Sequence, residues 1–142
     1  MFKTSDLYDD YLEDLQVAAP VFCDFGGRCC FYDRIVTLEA AFESDGKGKV
    51  LVVDVMAALG AKHGWQGVII NGCIRDSANV AKVNIGIKAL ATIPRKTTKR
   101  NQGVMDIPLR FADVLFNPGE YVYADEDGIV ISKTEISLSS QI

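Results

Sequence analysis

The chain has 142 residues, 49% of them hydrophobic, which suits a single domain (1–142) with one core and leaves no need for a second. A formal charge of −4 and a pI near 4.9 argue against a protein that wraps nucleic acid, because clustered cations are needed to displace condensed counterions. Apolar runs such as Val50-Leu51-Val52-Val53 are far too short to span a bilayer, and the opening Met1-Phe2-Lys3-Thr4-Ser5-Asp6 is unlike a signal peptide, so a cytoplasmic protein without membrane contact is expected.

The predicted elements follow in chain order. Thr4 or Ser5 can cap a first helix with Asp6 near its positive end; Leu7, Tyr11 and Leu15 then form one apolar stripe opposite Asp9, Asp10, Glu13 and Asp14. Ala19-Pro20 ends that element, Phe25-Gly26-Gly27-Arg28 is a turn, and Phe31 to Leu38 reads as a strand. Val50 to Val53 is a β-branched run typical of a strand covered on both faces; Val55 to His63 is helical in composition, with Gly64 as its C-terminal cap. Gly67 to Asn71 is the next buried strand, Asp76 can open a short helix through Val83, and Gly86 to Thr92 is another apolar stretch. The C-terminal third reads as hairpins: strand-like segments over Ile107–Phe116, a turn at Asn117-Pro118-Gly119-Glu120, strands at Tyr121–Tyr123 and Ile129–Ile131 around Asp125-Glu126-Asp127-Gly128, and a tail from Ser132 to Ile142. The pattern is β-α-β followed by β-hairpins, a mixed α/β protein.

Several motifs carry little. Cys23, Cys29, Cys30 and Cys73 contain no C-x-x-C pair, adjacent Cys29 and Cys30 are poor partners for one another, and His63 is the single histidine, so incidental or packing thiols are expected. Asp24-Phe25-Gly26 imitates a kinase triplet in a chain too short for a kinase, and no G-x-G-x-x-G follows the Val50–Val53 strand. The basic run Arg95-Lys96-Thr97-Thr98-Lys99-Arg100 reads as a solvated loop, with an anionic substrate or a subunit contact as the other options.

Gly72-Cys73-Ile74-Arg75-Asp76 is more informative. It follows the buried strand Gly67–Asn71, at the edge where α/β folds bind ligands. Arg75 offers a planar fork for a carboxylate and Asp76 oxygen for a hard divalent cation. Gly72 lets backbone approach a ligand, or is a plain turn glycine. Spacing alone leaves open a simpler role, an Arg–Asp pair capping the next helix.

Five segments stand together in order: Asp24-Phe25-Gly26-Gly27-Arg28, Lys47-Gly48-Lys49-Val50-Leu51-Val52-Val53-Asp54, Asn71-Gly72-Cys73-Ile74-Arg75-Asp76, Ile85-Gly86-Ile87-Lys88-Ala89-Leu90 and Tyr123-Ala124-Asp125-Glu126-Asp127-Gly128. With them the chain, from Thr4 to about Ser132, resembles the RraA-like family, which holds regulators of ribonuclease E activity and class II 4-hydroxy-4-methyl-2-oxoglutarate aldolases. The resemblance implies an α/β fold, a swivelling β/β/α domain with a mixed β-sheet or β-barrel core and flanking helices, assembled as a homotrimer with sites between subunits. Six phenylalanines (Phe2, Phe22, Phe25, Phe31, Phe111 and Phe116) flank turns as well as strands, and some are expected in that interface. The aldolase pattern D-x(20)-R-D is met by Asp54, Arg75 and Asp76, since Asp54 and Arg75 enclose twenty residues.

The resemblance implies Arg75 and Asp76 as the catalytic residues, Asp76 as the metal ligand, and Arg75, Asp54, Val55, Met56 and Gly72 as the substrate-binding set. The cofactor implied is a divalent metal cation, Mg²⁺ first. The substrate is a small 2-oxo acid, cleaved to pyruvate through an enolate that oxaloacetate decarboxylation shares. The alternative from another class is a non-catalytic regulator that binds ribonuclease E or a helicase; no direct nucleic acid contact is implied. Two departures bear on the site. Ala40-Ala41-Phe42 runs almost directly into Asp45-Gly46-Lys47 where the family has an E-D-N segment, and Asp54 is followed at once by Val55-Met56-Ala57-Ala58-Leu59 where it has a glycine-rich loop. Asp54 thus stands for either of two family aspartates. Segments missing from the sequence as it stands, both abutting one pocket, are favoured over true deletions, which would remove the pocket's amide cradle.

Overall fold

The structure, a computed structural model, describes residues 2–38, 50–53, 66–74, 77–82, 84–94 and 106–136. Its elements are α1 (Thr4–Tyr11), a 3₁₀ turn (Leu12–Asp14), β1 (Leu15–Val17), β2 (Cys23–Asp24), β3 (Phe31–Leu38), β4 (Val50–Val53), β5 (Gly67–Ile70), β6 (Cys73–Ile74), α2 (Ser77–Val80), β7 (Gly86–Ala89), β8 (Ala91–Thr92), β9 (Leu109–Phe111), β10 (Val114–Phe116), β11 (Tyr121–Asp125) and β12 (Gly128–Ser132). The described chain is mostly strand, with few helices.

Eight strands form one mixed sheet in the order β1-β12-β11-β3-β4-β5-β7-β2. β3, β4, β5 and β7 run parallel to one another; β1, β12, β11 and β2 pair antiparallel at the two sides. This sheet cannot be flat. Seven spacings of about 4.8 Å would separate its edges by roughly 34 Å. Yet the edge strands β1 and β2 are joined by only Ala18 to Phe22, and a fully extended link from Val17 to Cys23 reaches about 22 Å. The sheet must coil until its edges approach. Lys88 records the same curvature: its ammonium, on β7, donates to the Asp125 carbonyl on β11, although β5, β4 and β3 lie between them in the sheet.

Strand alternation sorts the side chains to two faces. The concave face carries Phe31, Ile35, Val52, Ile69, Val122, Ala124, Ile129 and Ile131, and the β9–β10 hairpin covers it with Leu109, Phe111, Val114 and Phe116. The other face splits in two. Val68, Ile70, Ile87 and Ala89 pack with Ile74 and with Val80 of α2. Tyr123 and Val130 pack with Phe2, with Leu7 of α1 and with Ile136. Strand β5 is buried on both faces, as its unbroken Val-Ile-Ile run requires. Phe31 closes one end of the parallel strands: its ring lies over Gly67 and Gly86, register partners on β5 and β7, where a Cβ would come within 2.3 and 2.0 Å of the ring.

Four expectations need correction. The first helix stops at Tyr11; Leu15 joins the apolar stripe as a strand residue paired with Ser132. Neither Thr4 nor Ser5 is its N-cap. That position belongs to Lys3, which makes no side-chain cap, and the carboxylate of Asp125 serves instead, accepting from Thr4 N–H at 2.8 Å and Thr4 Oγ1 at 2.6 Å. The Gly86–Thr92 stretch breaks at Leu90, because β8 leaves the main sheet to pair with β6. The tail from Ser132 is docked at its start: Ser132 pairs in the sheet, and the Ile136 N–H donates to the buried Tyr123 hydroxyl at 2.7 Å. The six phenylalanines also find places within one chain. Phe2, Phe31, Phe111 and Phe116 are buried, and Phe22 and Phe25 rest on the cores, so they give no separate reason to expect an interface.

Candidate functional site

Three parallel strand ends converge on the edge that the sequence marks. Val53 and Ile70, the last residues of β4 and β5, are register partners, so the strand leading to Asp54 and the strand leading to Gly72 finish side by side. After β5 the chain passes through Asn71 and Gly72 and re-forms as β6; after β7 it passes through Leu90 and re-forms as β8. These two short strands run parallel, Cys73 opposite Ala91 and Ile74 opposite Thr92. Gly72 sits in the break, half-buried, and its carbonyl accepts the Leu90 N–H at 2.9 Å. Ile74 C=O accepts the Ile93 N–H at 2.8 Å, holding the far side of the ribbon.

Arg75 and Asp76 are the two residues between β6 and α2 in the sequence. They lie outside the described residues, as do Asp54, Val55 and Met56, the helix expected over Val55–His63 and the basic run 95–100; of the predicted set the structure places Gly72 alone. What it does place are the anchors on either side of Arg75-Asp76. Ile74 and Val80, each 3% exposed, pack into one cluster with Ile70, Ile85, Ile87 and Ala89. These flanking residues are thus buried apolar side chains beyond the carboxyl ends of parallel strands, the edge where α/β proteins bind ligands.

Other polar groups are brought together at sites that spacing does not reveal. Lys88, 2% exposed, ion-pairs with Asp24 at 3.0 Å; β2 and β7 place these two residues in register. The kinase-like Asp24 is thus a structural partner of a buried ammonium. Asp125, also 2% exposed, accepts from Thr4 and from the Asp127 N–H at 3.0 Å. Cys29, Cys30 and Glu126 meet at the same end of the sheet. Their separation of about a hundred residues leaves no local signal in the sequence.

A coiled mixed sheet of this strand order has counterparts among solved structures and is the RraA-like fold. A crystal structure from Geobacillus kaustophilus, described as an S-adenosylmethionine:2-dimethylmenaquinone methyltransferase, superposes with a TM-score of 0.86 at 38% identity, covering 95% of this chain and 97% of that one. The RNA-processing inhibitor RraA from Thermus thermophilus gives 0.84 at 34% identity, covering 96% of each. The RraA-like family (Aldolase/RraA) matches residues 18–131, and the chain belongs to that family. Relatives from Pseudomonas syringae pv. tomato and Dechloromonas aromatica, provisionally named as 4-hydroxy-4-methyl-2-oxoglutarate aldolases, are each 42% identical. The first alignment covers 96% of this chain and 98% of the relative, the second 92% and 96%. They extend over 158 and 156 positions, more than the 142 residues of this chain, so the relatives carry residues that it lacks. No helix among the described residues is long and apolar enough to cross a membrane.

Proposed function

We propose that this chain is a divalent-cation-assisted aldolase that cleaves 4-hydroxy-4-methyl-2-oxoglutarate to pyruvate and also decarboxylates oxaloacetate. The observation that supports this reading is the position of Arg75-Asp76 in the sequence, directly after β6 and before α2, whose Ile74 and Val80 are buried. The aldolase names of the relatives support it.

The donor chemistry fits a hard cation. Asp76 offers a carboxylate, and one carboxylate with water and substrate oxygens is a common way to hold Mg²⁺. When bound, such a cation supplies Lewis acidity toward the carboxylate and ketone oxygens of a 2-oxo acid. Arg75 binds the substrate carboxylate through its planar fork and holds the negative charge that grows on the ketone oxygen as the carbon–carbon bond breaks. A water positioned by aspartate takes the proton from the C4 hydroxyl. Gly72, with no Cβ, leaves room for the ligand beside the backbone.

Pyruvate release from either substrate, followed with a coupled assay, is expected with Mg²⁺ and lost with a chelator. Asp76→Asn weakens activation by the metal. Arg75→Ala lowers turnover even at saturating metal, by about 3 kcal/mol or roughly a hundredfold. Near-normal turnover of Arg75→Ala would return the pair to the helix-capping role. The likeness to the Thermus thermophilus RraA favours a second reading, a regulator of RNA processing. No pyruvate with any divalent cation, together with slowed RNA cleavage by ribonuclease E, would establish that reading instead.

A further inference from the structure

Cys29 and Cys30 immediately precede β3, and Glu126 lies in the turn between β11 and β12. Because Phe31 pairs with Ala124 across the β3–β11 ladder, these two connections meet at the end of the parallel strands opposite to Gly72. The Cys29 thiol donates to Glu126 Oε2 at 2.8 Å, and the two sulfurs are 3.5 Å apart. One donor atom from each of the three residues lies within 4.8 Å of the others. All the cysteines are free. Cys30 rests on the cluster of Phe2, Leu7, Tyr123, Val130 and Ile136, whereas Glu126 is exposed, so the group has an apolar floor and an open side.

We propose that Cys29, Cys30 and Glu126 bind one borderline or soft divalent cation of the zinc class, with water in the fourth position. Zinc takes thiolate at about 2.3 Å and carboxylate at about 2.0 Å in a tetrahedron, which sets the S–S edge near 3.8 Å and the S–O edge near 3.5 Å, as order-of-magnitude geometry. The observed sulfur pair already approximates the first edge. The sulfur–carboxylate contact is shorter than the second because a proton lies in it, and it must open when that proton leaves. Glu126 can move to do so, since it is an exposed residue of a two-residue turn. The Cys29 thiol is pushed up to about 12, first by its hydrogen bond to Glu126, then by burial and by Cys30. A coordinated cation displaces thiol protons to solvent. Two sulfurs and one oxygen select against Mg²⁺, which demands oxygen, and so separate this site from the ligand edge.

Titration of the reduced, full-length protein with Cd²⁺ and Zn²⁺ under anaerobic conditions tests the assignment, read by thiolate-to-cadmium charge-transfer absorption and by ions bound per chain. One ion per chain is expected, insensitive to excess Mg²⁺. Cys29→Ser and Cys30→Ser should abolish the absorption and weaken Zn²⁺ by more than the roughly 10- to 100-fold that loss of an outer-shell partner costs. Glu126→Gln, an exposed change that spares the core, should keep the absorption and weaken Zn²⁺ at least tenfold, as an order-of-magnitude expectation. Cys23→Ser and Cys73→Ser should bind normally, with far-UV circular dichroism confirming that every variant is folded. Absence of the band in the native protein, its persistence in the Cys29→Ser/Cys30→Ser double variant, or a Cys29–Cys30 disulfide persisting under reductant in the intact mass would overturn the proposal. None of these readouts depends on pyruvate release.

Discussion

Phe31 shows how one side chain dictates its neighbours. Its ring is 3% exposed and lies over two cross-strand glycines, so the sheet carries an aromatic roof where two side chains would otherwise stand. Gly86→Ala would place a methyl 2.0 Å from Cδ1 of that buried ring, so the ring or the paired backbone must shift. Overpacking of this kind costs about 1–3 kcal/mol, and denaturant unfolding should show it as a lower midpoint with an unchanged slope. Phe31→Leu made in the Gly86→Ala background should recover part of the loss, with a coupling of about 1 kcal/mol or more between the two positions. Simple additivity would mean that the alanine is accommodated elsewhere. In the sequence Gly86 is visible only as a glycine within an apolar stretch. Nothing local indicates that its partner lies 55 residues earlier in the chain.

At the level of elements, the β9–β10 hairpin turns through Ala112 and Asp113, both at positive φ (52° and 62°). Two left-handed residues suit the right-handed twist of a tight hairpin, and Asn or Gly usually occupies them. Alanine there bears about 1–2 kcal/mol of steric cost. Ala112→Gly, which keeps the Ala112 carbonyl that accepts from the Ala19 N–H, should raise stability by up to about 1 kcal/mol, read as a higher thermal midpoint. A fall would show that the alanine methyl, packed at the edge of the core, contributes more than its backbone costs. This hairpin was legible only as strand-like segments over 107–116, because its turn lacks the Asn-Gly or Asp-Gly signal. Buried runs such as Gly67–Ile70 were plain from their β-branched composition, as were the turns at 117–120 and 125–128. The end of α1 was not. Leu15 fits the helical period of Leu7 and Tyr11, and only its pairing with Ser132 makes it a strand residue. For the proposed ligand edge, the sequence supplied Gly72 and the position of Arg75-Asp76 after a buried strand, while the cysteine cluster depends on loops that only the folded sheet brings together.

For the whole molecule, the decisive contacts are those that tie its first elements to its last. β1 pairs with β12, and Asp125 receives both the backbone and the hydroxyl of Thr4, 121 residues away in sequence. Asp125→Ala leaves the buried Thr4 donors without their acceptor and removes the turn contact to Asp127. A loss of about 1–3 kcal/mol is expected, with hydrogen exchange rising first along α1. Uniform exchange across the sheet instead would mean that α1 is held by Leu7 and Phe2 rather than by its carboxylate. The same long reach has a consequence during synthesis. At about 5–20 residues per second, a ribosome needs roughly 6 to 24 s to proceed from Thr4 to Asp125. Through that interval the nascent chain carries α1 and β1 with no strand to receive them, and Phe2 and Leu7, both buried in the finished protein, face the surroundings.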